Sequence, residues 1–269
     1  MILITGASGQ LASLVAARIR REGHDLLTAS RAPDADRTMD FDRVETLDFT
    51  GVETLFLTSA GYAEDDVVIR RHGAVLQAAR SQGVRHIVYT SLSRASDHLG
   101  FALAHRWTEQ RIRQSGMQWT ILRNGLYVEL IGALAAPHDG CITAPFGSGR
   151  ISAVARKDLA DAAAVILADP SAHAGSCYEL SGPTAFSVSD LAERLGLAYR
   201  PLSLEAERSR LAQLPLLPFQ PAMMMSIYST AAAGFLETRE TDLRQLVPAP
   251  RDALAVAYAA TIAAASETA

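Results

Sequence analysis

At 269 residues, 49% hydrophobic and 20% charged, the chain has the bulk and composition of one large α/β domain, or of a nucleotide domain carrying a small lobe, which excludes disorder and fibrous repeats. A formal net charge of -4 argues against nucleic acid or any other polyanion as partner, because phosphate recognition shows as a basic surplus or cluster. Uncharged runs such as residues 126–128 and 131–137 are too short to cross a bilayer, and no basic region precedes a long apolar stretch at the N-terminus. We therefore expect no membrane span, no signal peptide and a cytoplasmic location. Cys141 and Cys177 stand apart from each other and from any histidine pair, which predicts two reduced thiols.

In chain order, Ile2-Leu3-Ile4-Thr5 is an apolar run of strand type, cut off by Gly6-Ala7-Ser8-Gly9. Leu11, Leu14, Val15 and Ile19 then recur at helical spacing up to Gly23, and residues 26–30 form a second strand. A weak third strand is predicted over residues 38–41, a fourth over 54–58, and a helix carrying Val68, His72, Val75, Leu76 and Ala79 on one face. Two more strands, over 86–90 and 119–122, flank a helix over 101–114. This alternation predicts an α/β fold of the Rossmann type, a doubly wound parallel sheet. Beyond Gly125 the pattern loosens: residues 137–149 read as loop, 158–168 as helix, 177–180 as strand and 187–195 as a short capped helix. Residues 1–125 are expected to form an NADP(H)-binding core, and 126–269 a mixed region that completes the sheet and makes a smaller C-terminal substrate lobe.

The chemistry starts at Gly6, Ala7, Ser8, Gly9, Gln10 and Leu11. Glycines there let backbone amides approach a pyrophosphate at a helix N-terminus, and the loop sits where such a function needs it, after the first strand and before the first helix. NAD-binding folds commonly end the second strand on an acidic residue that holds the adenosine ribose; here Ser30-Arg31 stands in that place, and a guanidinium suits a 2′-phosphate. NADP(H) is accordingly the expected cofactor, with a solvated surface arginine as the other account of Arg31. Asp40-Phe41 reads either as a flank of the adenine or as a surface acid beside a core aromatic.

Five segments together resemble the NmrA-like group of atypical short-chain dehydrogenase/reductases, most closely the bacterial NADPH-dependent quinone oxidoreductase type. They are Ile4-Thr5-Gly6-Ala7-Ser8-Gly9-Gln10-Leu11, Tyr89-Thr90-Ser91-Leu92, Leu122-Arg123-Asn124-Gly125-Leu126-Tyr127, Arg156-Lys157-Asp158-Leu159-Ala160 and Tyr178-Glu179-Leu180-Ser181-Gly182. The resemblance implies NADPH across the strand ends, with Thr58 and Ser59 after the fourth strand, Thr90 in the fifth, and Asn124, Gly125 and Tyr127 after the sixth, near the nicotinamide. Read by themselves, Asn124-Gly125 is a turn and Tyr127 a half-buried aromatic.

The chain departs from the wider family in one respect that matters to mechanism. A Tyr-x-x-x-Lys pair serves proton exchange with a carbonyl or alcohol there, but Lys157 is the single lysine here and Ala153 stands four residues before it. The corresponding stretch reads Phe101-Ala-Leu-Ala-His105. His105 either holds the nicotinamide ribose or supplies a proton, or is a histidine on a helix face. Quinone reduction does not need the missing pair, since hydride passes to an electron-poor ring and the proton can come from water or a nearby hydroxyl. Serine-hydrolase, phosphate-loop and HExxH zinc motifs are absent, and no metal is expected. Met223-Met224-Met225 reads as helix core or as the lining of an apolar pocket.

The reading that follows is an NADPH-dependent oxidoreductase delivering hydride to a quinone or similar conjugated electrophile, with Tyr127, Asn124 and His105 near the transfer site. The small-molecule electrophile is its partner, and an oligomer is open. The alternative is a non-catalytic NADP(H)-binding redox sensor acting through a protein partner.

Overall fold

The structure is a computed structural model that describes residues 1–60 and 62–268. In chain order its elements are β1 (Ile2–Thr5), α1 (Gln10–Arg21), β2 (Leu26–Ser30), β3 (Arg37–Thr38), β4 (Thr54–Leu57), α2 (Asp65–Ser81), β5 (His86–Leu92), α3 (Ala102–Arg113) and β6 (Gln118–Asn124). There follow α4 (Val128–Leu134), β7 (Cys141–Ile142), β8 (Arg150–Ile151), α5 (Arg156–Ala168), β9 (Ser176–Leu180), β10 (Phe186–Ser187), α6 (Val188–Leu195), β11 (Ala198–Tyr199), α7 (Leu204–Leu211), α8 (Gln220–Ala232), α9 (Leu243–Leu246) and α10 (Ala253–Thr268).

A sheet of seven strands runs in the order β3-β2-β1-β4-β5-β6-β9, and the pairings from β3 through β6 are parallel. The order reverses between β1 and β4: from β1 the chain builds outward to β2 and β3, then returns to the other side of β1. The crevice at the carboxyl ends of these two strands is where a doubly wound sheet receives a ligand. Alternation along the strands builds the core on one face. Leu3, Leu55, Leu57, Ile87 and Tyr89 share one buried cluster with Val75, Leu76 and Ala79 of α2 and Ile112 of α3. Helix α1 ends on Arg18, Arg20 and Arg21, cations that complement its carbonyl end, and buries Leu11, Ala12, Val15, Ala16 and Ile19. It packs on α5, with Arg18 Nε 3.3 Å from Asp161.

Contacts divide the chain into two units. The first holds Met1–Leu92, Leu103–Asn124 and Arg156–Tyr178; the second holds Ser93–Ala102, Gly125–Ala155 and Glu179–Ala269. Within the second, α4 packs on α10 and α7 on α8, β8 pairs antiparallel with β10, and β7 pairs parallel with β11. Helix α6 begins with a reciprocal cap: Asp190 N–H donates to Ser187 Oγ at 3.1 Å, and Ser187 N–H donates to Asp190 Oδ2 at 2.9 Å.

Two sequence expectations need correction. The third strand was predicted over 38–41, but β3 ends at Thr38, and Asp40 lies in a turn held by its own N–H to Thr46 Oγ1 at 2.9 Å. An Asx turn at Asp40, whose Oδ1 accepts from Asp42 N–H at 3.1 Å, wins locally over extension. The stretch 137–149, read as loop, contains the two-residue strand β7, too short for any period to show. Among the described residues no helix is long and apolar enough to cross a membrane, and no cluster of three His, Cys, Asp or Glu is fit to hold a metal.

Candidate functional site

A cavity of about 340 Å³ opens at the reversal point, lined on its first side by Gly6, Ser8, Gly9 and Arg31 and on its second by Asp40, Thr58 and Ser59. Gly6 has φ +65, a left-handed conformation that an L side chain adopts only under strain. A Cβ on Gly9 would stand 3.0 Å from Gly6 O, so any side chain there would press on the loop's own carbonyl. Ala7 N–H donates to Ala29 O at 3.1 Å and Gly9 N–H to Gly6 O at 2.8 Å, which fastens the loop to β2 and to itself. Gln10 and Leu11 then open α1, where the first amides of a helix have no intrahelical acceptor and point at the cavity end of the dipole. The loop can therefore hold a phosphate through backbone groups.

Arg31 follows β2 directly. Its side chain is exposed and makes no hydrogen bond or ion pair among the described residues. Ser30 beside it is spent on the turn, its Oγ accepting from Ala32 N–H at 3.0 Å. On the far side Met39 N–H donates to Ser30 O at 2.8 Å, so Asp40 and Phe41 reach the cavity although the strand has ended. Two polar side chains of the lining went unread in the sequence. Tyr62 is largely exposed, and Arg71 of α2 is held to Asp42 through Nε at 3.0 Å and a second bond from Nη2. Nothing local in the sequence singles out either; Arg71 becomes visible only once α2 lies beside the turn at Asp42.

The loop after β4 is fixed from behind by polar side chains. Thr58 N–H donates to Thr5 Oγ1 at 3.2 Å, Ser59 N–H to Thr90 Oγ1 at 3.0 Å, and Ala60 N–H to His72 Nε2 at 2.9 Å. Because His72 Nε2 accepts, its proton is on Nδ1, 2.8 Å from Thr108 Oγ1, which in turn donates to Ala104 O at 2.7 Å. Burial pushes His72 down to about 3, which keeps that ring neutral. Beside it, Tyr89 Oη lies 2.9 Å from His105 Nδ1. Burial holds His105 low as well, at about 4, with Glu109 opposing. Glu109 accepts from Arg123 Nε at 2.9 Å and Nη2 at 2.7 Å and from Ser91 Oγ at 2.7 Å; these bonds outweigh its own burial and hold its carboxyl below the usual range.

Thr58 Oγ1, Ser59 Oγ and Asn124 Oδ1 are buried with no hydrogen-bond partner among the described residues. An unmet buried polar atom costs about 1–3 kcal/mol, so three at the strand ends fit a ligand that supplies their partners. With the glycine loop, they are the observation that makes these residues suit a dinucleotide. Asn124 ends β6, level with Leu92 of β5. The remaining two expected residues belong to the second unit. Gly125 N–H donates to Leu180 O at 3.0 Å, and Tyr127 is half-buried, bridging Val154 at the start of α4. Met223, Met224 and Met225 are half-buried in α8.

Comparison with known proteins gives the same cofactor class. The family described as NAD(P)H-binding matches residues 6–170. Quinone oxidoreductase 2 of Escherichia coli K12 is 33% identical over 210 residues, covering 72% of this chain and 73% of its own. Among solved structures, the Citrobacter sp. triphenylmethane reductase complexed with NADP(H) superposes with a TM-score of 0.88 at 27% identity, over 96% of this chain and 99% of that one. The NADPH complex of the Escherichia coli quinone oxidoreductase QOR2 gives 0.86 at 30% identity, with the same coverage of 96% and 99%.

Proposed function

The chain belongs to the NAD(P)H-binding family and is an NmrA-like NAD(P)H-dependent reductase, and from that premise we propose that it prefers NADPH and reduces quinones or similarly conjugated electrophiles. The observation that carries the cofactor preference is Arg31: an exposed, unpaired guanidinium at the rim of the cavity, directly after β2, where an acidic residue would favour a bare ribose. The quinone is supported by the likeness to quinone oxidoreductase 2 of Escherichia coli, whereas the Citrobacter relative is named for a triphenylmethane substrate.

In this reading the amides of the Gly6–Gly9 loop not spent on Ala29 O and Gly6 O, with those of Gln10 and Leu11 at the start of α1, hold the pyrophosphate, Arg31 the 2′-phosphate, and Asp40 with Phe41 flanks the adenine. Thr58 and Ser59 satisfy their hydroxyls on the bound molecule, and Thr90 keeps the amide of Ser59 in place. Asn124, with one buried oxygen unmet, orients the nicotinamide end; Gly125 and Tyr127 are assigned by the motif they share with it. His105 stands nearest the role of the missing tyrosine and lysine. When bound, the nicotinamide supplies hydride. The protein's share is to position two planar rings and exclude water from between them.

The test is cofactor oxidation, followed by nicotinamide absorbance, with NADPH or NADH and benzoquinones, naphthoquinones, an azo dye, a triphenylmethane dye or no acceptor. Quinone-dependent oxidation that favours NADPH is expected. Turnover on dyes alone would remove the quinone, and tight NADPH binding with no turnover on any acceptor would leave a nucleotide-binding regulator.

A further inference from the structure

We infer that Tyr89 is a positioning residue that locks His105 as its Nε2–H tautomer, so that the imidazole offers a hydrogen-bond donor to the acceptor atom that gains charge during reduction. The inference rests on the reading of His105 as a site residue. Its geometric part stands on the hydrogen bonds alone.

Tyr89 is fully buried in β5 and has one phenolic proton to place. Three groups around it carry acceptor oxygens or nitrogens. Thr108 Oγ1 accepts from His72 Nδ1–H at 2.8 Å and donates to Ala104 O at 2.7 Å, and it keeps a second lone pair, but no hydrogen bond joins it to the phenol. Ser59 Oγ has none to it either. Among the described residues His105 Nδ1, at 2.9 Å, is the acceptor within hydrogen-bond reach of Tyr89 Oη. Were Nδ1 to carry the proton, it would donate to the phenol oxygen and strand the phenol's own proton in dry surroundings. The cost of such an unmet donor corresponds to a roughly 5- to 150-fold preference for the other arrangement. A neutral imidazole has one proton for two nitrogens, and burial keeps His105 neutral at working pH, so that proton is on Nε2. The two histidines that flank Tyr89 thereby take opposite tautomers. His72 gives Nδ1–H inward and uses Nε2 to hold a loop; His105 receives at Nδ1 and keeps Nε2–H to donate.

The difference bears on chemistry. Hydride addition turns a quinone into a hydroquinone monoanion, which takes one proton to become the hydroquinone. A hydrogen bond from Nε2–H steadies the charged oxygen without the proton leaving the ring. Losing it would produce an imidazolate, unless Tyr89 passed its own proton to Nδ1, and burial raises the Tyr89 phenol well above its ordinary range. The proton that completes the product therefore comes not from His105 but from water or a nearby hydroxyl.

The experiment is a multiple-bond ¹H–¹⁵N correlation spectrum of the full chain with NADP⁺ bound, His105 being assigned by the signals lost in His105→Asn. At neutral pH we expect Nδ1 in the unprotonated range and Nε2 in the protonated range. Tyr89→Phe should average the two nitrogens and lower kcat for quinone reduction roughly 3- to 10-fold at unchanged KM for NADPH, in keeping with loss of an oriented donor. An Nδ1–H signal in the wild type, or a tautomer unmoved in Tyr89→Phe, overturns the inference. Should Tyr89→Phe not fold, the wild-type spectrum decides alone. A correct tautomer with undiminished kcat in His105→Asn overturns the reading of His105, and with it the donated hydrogen bond.

Discussion

Two polar regions of the first unit are built on opposite principles. The rim of the cavity uses the glycine loop, the first amides of α1 and one exposed arginine with no partner among the described residues, groups open to solvent that lose little by waiting for a ligand. Behind it, His72, Tyr89, His105, Thr108, Glu109 and Arg123 form a set of buried or partly buried side chains drawn from α2, β5, α3 and β6. Each bond there replaces one to water, so the set holds only while it is complete. The rim should respond to salt and ligand charge, and the buried set to pH and to the loss of a single member.

The largest effect is expected where a buried charge would lose its nearest partner, with only the half-exposed Arg113 at 3.6 Å left to it. Arg123→Leu strips Glu109, 7% exposed, of its two-point partner and should cost about 3–5 kcal/mol of unfolding free energy. The double variant Glu109→Leu with Arg123→Leu should recover much of that loss, because no buried charge remains. Urea denaturation of both variants checks this. A double variant no more stable than the single one would show that shape, and not the unpaired carboxylate, sets the cost.

Next comes acid. The folded value of His72, about 3, lies below its ordinary 6.5. Above pH 6.5 both states are neutral there and the group has no effect. As pH falls below 6.5 the unfolded chain takes up the proton and the native chain does not, so stability declines through the window from 6.5 to about 3. The slope is about 1.4 kcal/mol per pH unit, or about 2 kcal/mol by pH 5. His72→Gln should lower stability at neutral pH, through the lost bond to Ala60 N–H, and flatten the acid limb by one proton. Equal slopes in the two proteins would mean that His72 is charged in the native state.

The same contrast explains what the sequence discloses. The glycine loop, β1, α1 and the alternation of strand and helix rest on local causes, apolar period and glycine placement, and are legible in a window of residues. So is the cap at Ser187 and Asp190, which needs only two residues three apart. Arg71 is not, since it enters the cavity through its partner Asp42, 29 residues away. Tyr89 reads as a core aromatic within a strand; its proton has a destination only because α3 brings His105 across it. Asp40 misled in the other direction: its surroundings look extended, but its side chain caps a turn. What is invisible is whatever depends on which polar group meets which after packing.

The smallest of these effects is the one that probes the rim. Arg31→Asp should weaken NADPH roughly ten-fold, about 1.4 kcal/mol, and leave NADH nearly unchanged, since an exposed guanidinium on a phosphate dianion is a screened contact. Salt gives the same test without a substitution. Raising ionic strength from 0.01 M toward 1 M shortens the Debye length from about 30 Å to about 3 Å, so the preference for NADPH over NADH should shrink severalfold in the wild type. In Arg31→Asp, where salt screens a repulsion between the new carboxylate and the 2′-phosphate, it should move the other way. The urea midpoint shift of Arg123→Leu should be far less salt-dependent, because the Glu109 pair is shielded from the ions by protein. Fluorescence titration of both cofactors across salt reads the first part. A preference that survives high salt intact would assign 2′-phosphate recognition to hydrogen-bonding groups other than Arg31, with Arg71 the next to substitute.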